Sequence, residues 1–156
     1  MFSLRSQQLL EAVSSRVVVA DGAMGTMIQE SNPTLVDYEN LEGCNEILNV
    51  TRPDIIERIH RTYLTAGAEA IETNTFGANF PNLADYGIED RIEELAFAGA
   101  ALARKAADEF ATADKPRWVL GSIGPGTKLP SLGHEKFSML RDAYLQSALG
   151  LIKGGA

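Results

Sequence analysis

The sequence predicts an α/β fold in which short parallel strands alternate with helices. Three short β-branched or apolar runs, at 17–20, 70–75 and 118–122, suit strands that are buried on both faces of a sheet. A turn and then a segment with helical spacing of apolar residues follow each run. This alternation is typical of a parallel sheet with right-handed crossovers, so we expect a leading helix and about three βα units.

The helices carry clearer signals than the strands. A leading helix is predicted from about Ser3 to Val13, and its apolar side chains should pack against one end of the sheet: Leu9, Leu10 and Val13. Two further helices are predicted over about 89–110 and from about Glu135 onward, because their apolar residues recur at helical spacing. Gly99 lies on the apolar face of the first of these two and would let that helix approach a sheet closely.

A helix between these elements begins at about Thr51. Pro53 suits its first turn, Asp54 stands three residues after the threonine, and Gly67 stands where a C-terminal cap belongs. Its apolar stripe consists of Ile55, Ile56, Ile59 and Tyr63. The tripeptide at 49–51 matches a glycosylation acceptor, but without a secretory signal we interpret Thr51 as the helix cap.

Two features of the organisation are unusual. Roughly 30 residues separate the first strand from the helix at Thr51, far more than a typical βα connection, and such long connections are often functional. The sequence also stops after a helix and two glycines, where a fourth strand would start. We therefore expect residues 1–156 to be an incomplete domain whose open sheet edges drive self-association.

The composition excludes several classes of protein. Hydrophobic residues make up 45% of the chain and charged residues 22%, as in ordinary globular proteins. A net charge of −7 disfavours binding to nucleic acid, because phosphate backbones repel an acidic surface. No run of apolar residues is long enough for a membrane helix and no signal peptide is evident, so we expect a cytoplasmic protein.

Candidate ligand-binding residues lie where the predicted strands end, which is where parallel α/β folds bind ligands. Asp21 could orient a substrate ammonium group while Gly22 lets the ligand approach the backbone, or Asp21 could simply cap the following turn. The polar run 72–75 is unusual inside a strand, and either a polar ligand or a network of hydrogen bonds would compensate its burial. Alternation would place Glu72 and Asn74 on one face, and Thr73 and Thr75 on the other.

Other candidates are weaker. The segment from Gly121 to Lys128 has the glycine spacing of a phosphate loop, but its Thr-Lys order is inverted and Pro125 removes an amide donor. Cys44 is the single cysteine, and neither histidine is near it in sequence. With His60 expected to be a packing residue on a helix, no cluster has metal-ligand spacing.

Four segments in order resemble homocysteine S-methyltransferase domains. They are Asp-Gly-Ala-Met-Gly-Thr-Met at 21–27, Glu-Asn-Leu-Glu-Gly-Cys-Asn-Glu at 39–46, Ile-Glu-Thr-Asn-Thr-Phe at 71–76 and Gly-Ser-Ile-Gly-Pro at 121–125. The segment from Tyr38 through Ile59 is similar to the amino-terminal homocysteine-binding module of cobalamin-dependent methionine synthases, a branch of that family.

The resemblance implies part of a (β/α)8 barrel that binds homocysteine and activates its sulfur as a zinc thiolate. In this branch the thiolate attacks the methyl group of methylcobalamin to give methionine, and a folate-binding module regenerates the cofactor. By resemblance, Asp21 and Gly22 correspond to the substrate side of the site, and Glu72, Asn74 and Thr75 lie at the mouth of the second strand. The three zinc-binding cysteines of the family have no counterpart in this sequence, so we assign no metal ligand and no catalytic residue here, and we expect the chain alone to be inactive.

Two other interpretations remain open. The chain could be a non-catalytic remnant that assembles through its open sheet edges. It could also be a small α/β domain that binds phosphate through residues 121–128, although the inverted motif and the acidic charge argue against that function.

Overall fold

The computed structural model describes residues 4–156, so the expected helix start at Ser3 lies outside the described residues. Seven helices and two strands are present in that part of the chain, together with short 3-10 turns. In chain order they are α1 (Leu4–Ser15), α2 (Met24–Glu30), α3 (Leu48–Thr51), α4 (Pro53–Ala66), β1 (Ala70–Glu72), α5 (Phe80–Ala84), α6 (Ile92–Phe110), β2 (Trp118–Leu120) and α7 (Phe137–Gly154). The 3-10 turns are Asn45–Ile47, Glu89–Arg91 and Pro130–Leu132.

The sheet is parallel and smaller than predicted. β1 pairs with β2 in parallel, with Ala70 opposite Trp118 and Glu72 opposite Leu120. The predicted first strand at 17–20 is wrong as a strand, because it contributes a single parallel bridge between Ala20 and Ala70. Val17 is 82% exposed, so this run lacks the burial on both faces that its composition suggested. It still lies beside β1, since the amide of Asp21 donates to the carbonyl of Ala70 at 2.9 Å.

Both strands end earlier than their polar continuations suggested. β1 stops at Glu72 because the chain then turns, with the amide of Thr75 donating to the carbonyl of Thr73 at 2.9 Å. β2 stops at Leu120. Two residues later the amide of Ser122 donates to the side-chain hydroxyl of Thr73 at 2.9 Å, where a continuing strand would donate to a backbone carbonyl. Side-chain hydroxyls thus replace backbone pairing at the carboxyl ends of the strands.

The helices agree with their sequence signals except at one cap. α4 ends at Gly67, which adopts the left-handed conformation at φ 111° that a C-terminal cap requires. Thr51 does not cap α4, because it belongs to α3 and its hydroxyl donates to the carbonyl of Ile47 at 3.1 Å. Arg52 occupies the cap position, but its side chain does not cap a backbone amide of α4, and its guanidinium donates to the carboxylate of Asp54 at 2.8 Å.

The leading helix α1 packs less tightly than predicted. None of its described residues is buried, and Leu10 and Val13 are each 53% exposed, which corrects the expected role of those two side chains. Leu9 is half-buried and shares a cavity with Trp118, the first residue of β2. The helix therefore covers the amino-terminal end of the sheet through one part of its predicted face only.

The core lies between α4, α6 and the connection that precedes α4. That long connection is not an irregular loop, because it contains α2, the 3-10 turn at 45–47 and α3. Its apolar residues join those of the later helices in one buried cluster, whose fully or almost fully buried members are Ile28, Cys44, Ile47, Leu48, Ile55, Ile56, Ile59, Leu83, Ile92 and Leu95. None of the helices described at 4–156 has the length and apolar character needed to cross a membrane.

Candidate functional site

A cavity of about 260 Å³ opens at the carboxyl ends of the strands. All five residues that the sequence marked as substrate-binding candidates line it: Asp21, Gly22, Glu72, Asn74 and Thr75. Phe76 and Ser122, on the turns that follow β1 and β2, also line it. The turns after all three predicted strands therefore meet at one cavity, as expected for the carboxyl edge of a parallel sheet.

Asp21 places a partly buried carboxyl group at this cavity. Both of its carboxylate oxygens lie 3.0 Å from the amide nitrogen of Glu72, which donates to them. Burial raises the pKa of Asp21 to about 6, the negative charge of Glu72 adds to this rise, and the backbone amide of Glu72 opposes it. Through this hydrogen bond Asp21 joins the turn in which it lies to the end of β1.

A side-chain hydrogen bond joins the turn at 21–23 to α4. The hydroxyl of Tyr63 donates to the carbonyl of Ala23 at 3.0 Å. A Cβ atom at Gly22 would lie 3.4 Å from that hydroxyl oxygen, so the turn and the tyrosine are already in close contact. Gly22 itself is exposed, which leaves its backbone accessible from the cavity side.

Thr73, Thr75 and Ser122 form a closed network of hydrogen bonds. The Thr75 hydroxyl donates to the carbonyl of Ser122 at 2.7 Å, so the Thr73 hydroxyl must donate to Thr75, at 2.5 Å. Thr73 in turn accepts from the amide of Ser122 at 2.9 Å. Thr75 therefore serves to join the ends of β1 and β2, and its single hydroxyl proton is already used.

Asn74 is buried and belongs to a second network. Its amide nitrogen donates to the carbonyl of Asn45 at 2.8 Å and to the side-chain oxygen of Asn49 at 3.0 Å. Asn49 returns a hydrogen bond of 2.8 Å to the carbonyl of Asn74 and donates to Leu95 on α6 at 3.1 Å. Sequence reasoning missed Asn45 and Asn49, because their partner Asn74 lies far along the chain.

The two faces expected from strand alternation are not observed. Glu72 is exposed at the end of β1, whereas Asn74 is 5% exposed and Thr73 is 3% exposed. Alternation fails because the chain leaves the strand conformation after Glu72. Of the two compensations that the sequence left open, the hydrogen-bond network is present and satisfies the buried polar groups, and a cavity lies beside it.

The segment 121–128 does not form a phosphate-binding cradle. The amide of Ser122 donates to Thr73, and the amide of Gly124 donates to the carbonyl of Phe76 at 3.0 Å. A Cβ atom at Gly124 would lie only 2.3 Å from that carbonyl oxygen. The glycine is needed for close packing of the two turns, and these amides are turned toward the protein instead of toward a ligand.

The residues that could ligate a metal are dispersed. Cys44 is 1% exposed, and burial raises the pKa of its thiol to about 11, so it is a poor thiolate ligand or nucleophile. His60 is completely buried on α4, as a packing residue, and His134 is exposed in the loop before α7. Residues 4–156 contain no group of three or more histidine, cysteine or acidic side chains placed to hold a metal ion, so this donor set does not fit zinc.

Comparison with curated proteins gives close relatives that are much longer than this chain. Methionine synthase of Mycobacterium tuberculosis (strain ATCC 25618 / H37Rv) is 58% identical over 153 residues, which are 98% of this chain and 13% of that protein. Methionine synthase of Mycobacterium leprae (strain TN) is 58% identical over 148 residues, or 95% of this chain and 12% of that protein.

Solved structures with a similar fold include the homocysteine methyltransferase MmuM from Escherichia coli. Its metallated form superposes with a TM-score of 0.70 at 20% identity, covering 97% of this chain and 55% of that chain. Its oxidized form gives a TM-score of 0.68, covering 95% and 53%. A family model described as homocysteine S-methyltransferase matches residues 18–156. Because this match covers most of the chain, from residue 18 to the last residue, the chain belongs to the homocysteine S-methyltransferase family.

Proposed function

We propose that residues 1–156 are the amino-terminal part of a homocysteine-binding (β/α)8 barrel in a cobalamin-dependent methionine synthase. Support comes from the relatives at 58% identity and from the cavity that gathers the motif residues Asp21, Glu72 and Asn74. The role of this part is to bind the amino acid portion of homocysteine. The protein acts in the cytoplasm.

The electrostatics of the cavity favour an ammonium group. Its titratable lining residues are the carboxyl groups of Asp21 and Glu72, and no cationic side chain lines it within the described residues. An ionised Asp21 in a partly desolvated position would form a strong charge-assisted hydrogen bond with the α-ammonium group of homocysteine. This concentration of negative charge at the strand ends is the single observation that carries the assignment.

The same field is unfavourable for a thiolate. Homocysteine has a thiol whose ordinary pKa is about 8.5, and neighbouring carboxylates would raise it further. We propose that the thiol becomes a zinc thiolate on ligands located elsewhere in the longer enzyme. The cobalamin and folate modules are likewise placed there, and methyl transfer requires them.

Titration calorimetry with homocysteine under reducing conditions tests the binding role. We expect Asp21→Asn to weaken binding by about 10- to 100-fold, the range for loss of a charge-assisted hydrogen bond. Binding to the chain should also weaken as the pH falls through about 6, where Asp21 becomes protonated, and the variant should lack that dependence. The analogue 4-mercaptobutyrate, which lacks the amino group, should bind both proteins equally weakly.

Asp90→Asn is the matched control, because Asp90 is an exposed carboxylate outside the cavity. It should bind homocysteine as the unchanged chain does. Equal affinities for Asp21→Asn and the unchanged chain would remove Asp21 from the site. No binding by a chain that circular dichroism shows to be folded would contradict the homocysteine assignment itself.

The chain alone should not transfer a methyl group. Mixed with homocysteine and methylcobalamin, it should produce no methionine above the rate of the mixture without protein, as measured by chromatography. Methionine formation at a rate proportional to the concentration of the chain would show that catalysis does not need the remaining modules.

A further inference from the structure

The carboxylate of Glu46 makes an unusual contact with the turn after β1. Glu46 lies in the 3-10 turn at 45–47, and its Oε1 atom accepts a hydrogen bond of 2.7 Å from the amide of Gly77. Burial raises the pKa of Glu46, and the backbone amides of Gly77 and of Glu46 itself partly offset that rise. Within residues 4–156 Glu46 has no ion pair with any lysine, arginine or histidine.

The absence of a side chain at Gly77 leaves the space that the Glu46 carboxylate occupies. A Cβ atom at position 77 would lie 2.7 Å from Glu46 Oε1 and 2.9 Å from its Cδ atom, closer than side-chain atoms approach. Gly77 is buried and Glu46 is half-buried, so a side chain at position 77 would push the carboxylate away from the Gly77 amide. This contact buries part of a carboxylate, which costs solvation free energy that an apolar contact at the same place would not cost.

The hydrogen bond between Glu46 and Gly77 lies next to the residues of the β1 turn that line the cavity at Asp21. The carbonyl of Phe76, one residue before Gly77, accepts from Gly124 at 3.0 Å and from the side chain of Asn79 at 3.2 Å. Asn74 is held by Asn45 through the 2.8 Å hydrogen bond described above. The turn 74–77 is thus held at both of its ends by the connection that precedes α4.

Phe76 is the residue through which this fixation reaches the cavity. Phe76 is 60% exposed and lines both the cavity at Asp21 and a neighbouring cavity that Glu46 also lines. Glu46 itself does not line the cavity at Asp21. A shift of the turn at Gly77 would move Phe76 and the buried Asn74 together, and so change the shape of the cavity.

We propose that Glu46 is a positioning residue that holds the turn 74–77 in place and thereby sets the affinity of the cavity for substrate. The proposal rests on the homocysteine-binding function proposed above. It assigns to the segment 39–46 a role in shaping the site from outside it, through one hydrogen bond to a backbone amide.

Three substitutions separate this role from a general contribution to stability. Glu46→Ala removes the acceptor and should weaken homocysteine binding about tenfold, which corresponds to one buried hydrogen bond. Glu46→Asp keeps the charge but is one methylene too short to reach Gly77, so it should weaken binding to the same extent. Glu46→Gln keeps the length and an acceptor oxygen and should restore affinity to within about threefold. Glu42→Ala, at an exposed acid in the same connection, is the matched control and should bind normally.

Hydrogen exchange at the Gly77 amide, measured by nuclear magnetic resonance without ligand, reports the positioning directly. The amide should exchange faster in the Ala and Asp variants and remain protected in the Gln variant. The comparison is made under conditions in which the variants have equal free energies of global unfolding. Equal affinity and equal protection in the Ala variant and the unchanged chain would overturn the proposal. If the unchanged chain binds no homocysteine, the proposed function fails and the affinity role fails with it, and exchange at Gly77 then decides whether Glu46 holds the turn.

Discussion

The imidazole of His60 is completely buried among the apolar residues of α4, and neither of its ring nitrogens has a hydrogen-bond partner. Burial lowers the pKa of His60 to about 4, against a small opposing effect of Glu57. Between pH 6.5 and 4 the unfolded chain therefore binds a proton that the folded chain does not. Stability must fall as the pH is lowered through this window.

Replacing His60 should stabilise the protein, and more strongly in acid. His60→Leu removes two unpaired polar atoms at similar volume, so we expect a gain of about 1 kcal/mol in the free energy of unfolding at pH 7. At pH 5 the gain should be larger by about 2 kcal/mol, because the proton linkage is also removed. Urea unfolding at the two pH values measures both quantities. His134→Gln, at an exposed position, is the control and should change the free energy by less than about 0.5 kcal/mol.

Residues around the cavity were predictable only when they follow a predicted strand. Asp21, Glu72 and Asn74 could be marked because parallel strands bring their carboxyl ends together. Asn49 and Glu46 could not be marked, because their partners, Asn74 and Gly77, lie far along the chain. No local pattern encodes such a pairing, and the resemblance of segment 39–46 indicated its importance without its mechanism.

Helices were predicted more accurately than strands because their limits are local. Gly67 ends α4 through its own backbone conformation, which a sequence can specify at a single position. The extent of β1 instead depends on two hydroxyl groups that bond to Ser122 after β2: Thr73 accepts from its amide and Thr75 donates to its carbonyl. The run at 17–20 has β-branched composition, yet strand formation there would also need neighbours to cover it, and Val17 remains 82% exposed.

The close packing of α6 on α7 depends on glycine. A Cβ atom at Gly150 would lie 2.6 Å from the carbonyl oxygen of Glu93 and 2.9 Å from the Cβ atom of Ala96. We expect Gly150→Ala to force the helices apart and to lower the free energy of unfolding by about 2 kcal/mol, as overpacking does. Chemical denaturation followed by circular dichroism measures the loss.

Gly25→Ala is the matched control for that substitution. Gly25 lies in α2 and has no neighbouring atom within 4 Å of an added Cβ. Alanine there should be neutral or stabilising by up to about 1 kcal/mol, since it favours the helix. A loss at Gly25 as large as that at Gly150 would mean that the loss at Gly150 is not specific to the contact between the two helices.

At the scale of the whole molecule, one face of α7 is apolar and exposed. Leu145, Leu149 and Ile152 are 55%, 40% and 69% exposed, and they follow one another at helical spacing. We expect the isolated chain to self-associate through this face as its concentration rises. Light scattering over a concentration series should show a mass that increases from 16.8 kDa. Leu149→Lys should shift the association to higher concentration, and a constant monomer mass for the unchanged chain would contradict the expectation.

Trp118 is the single tryptophan of the chain and is 2% exposed at the first position of β2. α5 and α6 lie between β1 and β2 along the chain, so the pairing of Ala70 with Trp118 closes a long loop, and such contacts form slowly. Helix formation, seen in far-ultraviolet dichroism, and closure of the sheet, seen in indole fluorescence, are therefore separate optical signals. During refolding the dichroism should recover before the fluorescence does, and the protein carries its own reporter of the moment at which the strands meet.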